Sequence, residues 1–235
     1  MPNSDEKLDL LVFGDTAIDY FYEVDRIPKT NKASEVIKCH KFYGGMGANT
    51  AVVAKALGIK TGLVSVIGTD AEDYRKYMQN LGIKLFLKGI FGDTTNSLFF
   101  KENGKQISFF YKGVTEKLND LEFDKELMKE VKCVYMARTY LDLQRRVARC
   151  CRNNFLVYNP GYGVFKFKKI TQKFYKILKN TDILVINQHE LAHLKKIGFR
   201  PDFKLGPNTF LITQGEKGCA IYSKTTRINV PPHKT

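Results

Sequence analysis

With 235 residues, 43% of them hydrophobic and 26% charged, the chain has apolar material for one sizeable core and lies outside the compositions of disordered or fibrous proteins. A formal net charge of +14 would suit a polyanion, yet lysines and arginines are spread along helix-like segments such as Lys166 to Lys179. With no compact basic run and no nucleic-acid-binding motif, a solvated basic surface is expected and a nucleic-acid partner is not.

The five cysteines, Cys39, Cys133, Cys150, Cys151 and Cys219, are odd in number and two are adjacent, so they form neither a disulfide framework nor a paired metal site. Reduced thiols in a cytoplasmic protein are expected. The opening MPNSDEKLDLLVFG is acidic and polar before its first apolar run, unlike a signal peptide. No stretch reaches the roughly 20 apolar residues of a membrane span, so no membrane partner is expected.

In chain order, Leu8 to Phe13 is a nearly continuous apolar run ending at Gly14, the pattern of a strand buried on both faces of a parallel sheet. Ala48 to Leu57 is Ala-rich and stops at Gly58, as a helix does. Leu63 to Ile67 reads as a strand, Ala71 to Leu81 as a charged helix, Val131 to Ala137 as a strand and Leu141 to Arg152 as a helix. Phe155 to Tyr158, Ile183 to Ile186 and Thr209 to Thr213 are strand-like, with helices expected over Lys168 to Lys179 and Glu190 to Ile197. Two further strands are expected over Gly218 to Ser223 and Arg227 to Val230. Strands alternating with helices point to a mainly parallel sheet with helices on its faces.

Two segments break the alternation. Thr94 to Tyr111 holds two aromatic and β-branched runs joined at Asn103-Gly104, a strong hairpin signal. Ile18 to Tyr43 also lacks helical periodicity. Both are expected to supply antiparallel strands, from about 18–43 and 94–112, to a small sheet beside the main domain, and such a sheet could act as a lid.

Chemistry concentrates in short strings. Gly44-Gly45-Met46-Gly47-Ala48-Asn49 stands between a strand-like segment and the Ala-rich helix. Glycines there allow a ligand close to the backbone, a helix N-terminus offers unpaired N–H groups, and Asn49 can hydrogen-bond a polyol. A plain helix-capping turn is the alternative. The string lacks the third glycine of a dinucleotide fingerprint, and no P-loop motif occurs in the chain. Asp19 could emerge at a sheet edge and bind hydroxyls, or be an ordinary turn residue.

Taken together, Gly14 with Asp19 and Asp25-Arg26-Ile27-Pro28, then the glycine string, then Leu57-Gly58 and Val66-Ile67-Gly68-Thr69-Asp70, resemble the N-terminal signature of the ribokinase-like (phosphofructokinase B-type) sugar and nucleoside kinases. Asp182-Ile183-Leu184 running to Asn187 and Glu190, and Leu211 to Gly218, are similar to that family's nucleotide side. The resemblance spans nearly the whole chain. It implies a three-layer α/β/α fold with a β-sheet lid, and ATP-dependent phosphorylation of a hydroxyl on a sugar or nucleoside. It also implies that Asp19, Gly44, Gly45 and Asn49 hold the acceptor, that Asn187, Thr213, Gly215 and Gly218 line the ATP side, and that Glu190 acts indirectly on Mg²⁺. A homodimer through the lid is a further implication.

Two departures matter. The family's catalytic aspartate, in a DTxGAGD-like motif after the strand near Val230, falls beyond Thr235, so the domain is expected to lack its C-terminal portion and no base is assigned. Met46 stands where ribokinases often carry Lys, which weakens ribose as the substrate.

His189-Glu190-Leu191-Ala192-His193 is a literal HExxH, the zinc-protease pattern on a helix. It begins directly after a strand, and its third ligand would have to be Glu216, in a tight turn, or His233. Surface histidines and a kinase pattern explain the same residues. A zinc protease and a non-catalytic sensor on the same fold are the competing expectations.

Overall fold

The computed structural model describes residues 7–233; the expectations for the polar first residues and for the last two fall outside them. Its strands are β1 (Leu10–Phe13), β2 (Ala17–Val24), β3 (Val36–Gly44), β4 (Thr61–Gly68), β5 (Lys84–Ile90), β6 (Thr95–Glu102), β7 (Lys105–Tyr111), β8 (Cys133–Met136), β9 (Phe155–Tyr158), β10 (Ile183–Asn187), β11 (Thr209–Thr213), β12 (Cys219–Ser223) and β13 (Arg227–Val230). The helices are α1 (Met46–Ala56), α2 (Glu72–Asn80), α3 (Leu141–Cys150), α4 (Gln172–Leu178) and α5 (Gln188–Lys196).

A sheet in the order β13-β12-β11-β10-β9-β8-β1-β4-β5 forms the middle layer. It is parallel from β11 to β5, while β12 and β13 add antiparallel strands at one edge. Alternation along β1 sets the layers: Leu11 and Phe13 face a core shared with Leu143 and Val147 of α3, Phe174 and Ile177 of α4, and Leu194 of α5. Leu10 and Val12 face the other core, with Ala48, Ala51 and Ala54 of α1 and Tyr74 and Met78 of α2. Small residues on α1 let that helix lie close to the sheet. A side chain on Gly14 or on Gly47 would overlap the backbone of the other, so β1 and α1 touch where β1 ends.

The second sheet has the order β3-β2-β6-β7. Asn103 and Gly104 both adopt positive φ, 43° and 80°, as a two-residue turn between β6 and β7 requires. The expectation of antiparallel pairing throughout needs correction: β2 and β3 pair antiparallel, as do β6 and β7, but the central β2–β6 pair is parallel from Ala17↔Thr95 to Glu23↔Lys101. The physical reason is where the hairpins enter. Both β2 and β6 leave the carboxyl edge of the main sheet, so they run in the same direction. Aromatic pairs close this seam, Phe21 on Phe99 at 4.6 Å and Tyr22 on Phe100 at 4.9 Å between ring centroids.

Candidate active site

The chain builds outward from β1 to β4 and β5, then returns to the other side of β1 and continues through β8, β9, β10 and β11. The strand order therefore reverses between β1 and β8, and in open parallel sheets the crevice at the carboxyl ends beside such a reversal is where ligands bind. Asp15 and Arg138 follow β1 and β8 at that point and line a cavity of about 380 Å³ together with Asn119, Thr139, Tyr140, Tyr158 and Lys166.

Asp15 was not singled out by its sequence context, yet it organises the glycine string. Its Oδ1 accepts hydrogen bonds from the amides of Met46 (2.8 Å) and Gly47 (3.3 Å). Its main-chain oxygen accepts from Ala48 N at 3.2 Å, and Asn49 N donates to Gly45 O at 2.8 Å. The expectation of unpaired amides at this helix start is thereby overturned: the first turn of α1 is already capped, by a carboxylate reaching in from the segment after β1. Burial raises the Asp15 pKa, opposed by the Arg138 guanidinium and by the hydrogen bonds from Gly47 and Met46.

The acceptor-side candidates gather at one place. Asp19, half-buried on β2, lays its carboxylate over Gly44, where any Cβ would overlap it. Gly45 takes φ 99°, and a side chain there would run into the backbone of Asp15 and Thr16. Tyr74 donates to the Gly44 carbonyl and stacks on Tyr43 at 4.5 Å. Its phenol is pushed up in pKa by burial first, then by the Asp15 and Asp19 carboxylates. Asn49 is exposed in the first turn of α1. Met46 lies against Gly161, whose absent Cβ would come within 2.9 Å of its Cε and Sδ.

The nucleotide-side candidates form a second group on neighbouring strand ends. Asn187 and Thr213 are register partners at the ends of β10 and β11. Asn187 caps α5 in a capping box: Glu190 N donates to Asn187 Oδ1 at 2.8 Å, and Asn187 N donates to Glu190 Oε2 at 2.9 Å. Glu190 is buried, which raises its pKa against the lowering effect of the Asn187 amide. Gly215, with φ 60°, has open space where a side chain would stand, whereas Gly218, with φ 82°, is needed because the backbone passes beside it at the end of β13, from Val230 to Pro232.

The two groups are joined through Tyr135 on β8. Asn159 Nδ2 donates to its hydroxyl at 3.0 Å, and its pKa, raised first by burial, also responds to Thr50 of α1 and, least of all, to the Glu190 charge. Thr50, next to Asn49, and Glu190, at the opening of α5, thus both lie near enough to act on this phenol. Neither Tyr135 nor Asn159 was a sequence candidate; an aromatic inside a strand reads as core until its hydroxyl is seen to have partners.

The HExxH string does not assemble a metal site. Glu190 is held in the capping box, His193 Nε2 is bonded to Phe167 O at 3.2 Å, and His189 is exposed. Among the described residues no three His, Cys, Asp or Glu side chains are grouped to hold a metal. No described helix is long and apolar enough to cross a membrane.

Comparison with known proteins agrees with this geometry. Residues 7–235 match the model of the pfkB family of carbohydrate kinases. A nucleoside kinase of Methanocaldococcus jannaschii is 29% identical over 229 residues, covering 93% of this chain and 73% of that protein. The crystal structure of a Methanocaldococcus jannaschii nucleoside kinase, an archaeal member of the ribokinase family, superposes with a TM-score of 0.84 at 26% identity, covering 96% of this chain and 77% of that one. Arabidopsis thaliana ribokinase complexed with ribose and ATP shares the fold at a TM-score of 0.80 and 20% identity, covering 96% and 78% of the two chains. With a parallel sheet, a second small sheet rooted at its carboxyl edge and this match over nearly its whole length, the chain belongs to the pfkB family of carbohydrate kinases and is a carbohydrate or nucleoside kinase.

Proposed function

We propose that the protein transfers the γ-phosphoryl group of ATP to a hydroxyl of a nucleoside, with a free sugar as the second acceptor class. The observation that carries this reading is that Asp19 over Gly44 at the start of α1, and Asn187 beside Thr213 at the ends of β10 and β11, both lie at the carboxyl ends of the parallel strands. Such an arrangement would set an acceptor group and a phosphate group on one rim, as in-line transfer requires. The similarity to a nucleoside kinase, and Met46 in place of a cation, favour a nucleoside over ribose.

In this reading Asp19 accepts hydrogen bonds from acceptor hydroxyls, Asn49 donates and accepts beside it, and Gly44 and Gly45 give both room. Thr213, Gly215 and Gly218 line the phosphate side with Asn187. Glu190 fits an indirect hold on Mg²⁺: it is a hard oxygen donor at the strand ends with one oxygen engaged by its helix cap, and magnesium in kinases takes few protein ligands alongside waters and phosphates. Bound there, Mg²⁺ would neutralise charge on the phosphates. The second sheet serves as a lid that excludes water from the reacting groups, and its exposed Phe42, Phe109 and Phe110 offer a surface for a second copy.

The test is ADP release by the protein against a panel of nucleosides and sugars, together with calorimetric binding of the same compounds. ADP release dependent on one nucleoside class is expected. Nucleoside binding without turnover would favour the sensor reading, and absence of both would refute the assignment.

A further inference from the structure

A cavity of about 620 Å³ includes none of the candidate active-site residues. It lies along the second half of α3 and the connection to β9, and it is lined by Lys125, Arg146, Arg149 and Arg152 with Glu122 and a floor of Phe123 and Cys150. Four cations thus face one carboxylate.

Their charges are only lightly countered: Asp142 acts on Arg146 from beyond ion-pair distance. Among the described residues none of the four has a carboxylate within ion-pair distance. The nearby Glu126 is paired with Lys129 at 2.7 Å, and Asp124 accepts the Glu126 amide. Arg146 is fixed in place because its guanidinium donates to the carbonyls of Leu121 (2.9 Å) and Asn119 (2.6 Å). Carbonyls are neutral, so the guanidinium keeps its charge while losing its freedom, which is the preorganised state that bidentate phosphate recognition favours. Phe123 is likewise held, edge-on to Phe13 at 5.0 Å.

A simpler account is that cations near a helix C-terminus complement its dipole. That dipole amounts to about half a charge and reaches only the last turn, so it leaves most of this positive charge unbalanced. Like charges around one hollow oppose folding unless an anion joins them. The volume also lies within the roughly 300–1,000 Å³ of small-ligand sites. We propose that this cavity binds a small anion carrying two or more phosphate groups, at a site separate from the kinase centre.

The experiment titrates pyrophosphate, tripolyphosphate and a sugar bisphosphate into the protein by calorimetry at physiological salt, and repeats it with Arg149→Glu/Arg152→Glu. Both positions are exposed, so the variant should fold, with circular dichroism and an unchanged or higher anion-free Tm as the control. Arg149→Gln/Arg152→Gln serves as a milder second pair. The expected result is one anion bound per chain, a raised Tm on binding, and at least a tenfold loss of affinity in both pairs; the tightest of the three probes tells an inorganic source from a phosphorylated metabolite. Failure of all three probes to bind overturns the proposal. So does binding that both variants retain, or a short RNA that binds and is not displaced by tripolyphosphate, which would make the patch an extended polyanion surface.

Discussion

Asp15 and Asp19 stand close in sequence and meet different environments. Asp15 is buried under the amides of Met46 and Gly47, and Asp19 stays half open over Gly44. Because burial raises the Asp15 pKa above 3.8, ionising it weighs against the fold: its contribution to stability is greatest below that value and falls as pH rises through the raised folded pKa. Asp15→Asn, which keeps an acceptor oxygen but cannot ionise, should therefore gain on the wild type as pH rises from about 4 toward neutrality. Urea unfolding across that range measures the difference, and a constant gap would contradict the assignment. Asp19→Ala, by contrast, should leave folding nearly unchanged and lower kcat/KM for the acceptor by roughly 10- to 100-fold, the worth of a hydrogen bond to a charged group. Steady-state kinetics with unaltered values would remove Asp19 from the site. Asp19 and the glycine string were legible in the sequence as candidates for one binding group, the glycines announcing a close approach to the backbone. Asp15 was not, because a carboxylate after a strand-ending glycine looks like any turn residue until the fold brings Gly47 to it.

Among the elements, the buried parallel strands were readable from their continuous apolar runs and terminal glycines, as with Leu8 to Gly14. β5 was not. Its sequence KLFLKGI carries lysines where an edge strand meets solvent, and it breaks the apolar run that marks a strand buried on both faces. The start of α1 shows what a short contact demands of sequence. Gly47→Ala should push the helix off β1 and cost about 1–3 kcal/mol in urea unfolding, the usual penalty for overpacking. At α5, Glu190→Gln keeps the shape of the capping box without the charge and should cost about 1 kcal/mol or less. A far larger loss of turnover than of stability would mark the carboxylate as functional.

At the scale of the molecule, the parallel pairing of β2 with β6 joins segments far apart in the chain, and no local pattern announces it. Tyr135 joins distant segments in the same way. Tyr135→Phe leaves Asn159 Nδ2 without its acceptor and should cost about 1–3 kcal/mol, with poorer KM for both acceptor and ATP; a change confined to one substrate would mean that the phenol does not couple the two groups. The second sheet carries a further consequence in its roots. β2 leaves beside Asp15, β3 returns at Gly44 under the Tyr74 hydroxyl, and β6 starts just after Thr94, whose amide and hydroxyl are held by Asp70 while its hydroxyl accepts from Gly68 N. All of these moorings lie along a single margin, so the four strands are bound like a page at its spine. The Asn31 and Asn103-Gly104 turns form the free border, where a small rotation at the spine becomes the widest sweep.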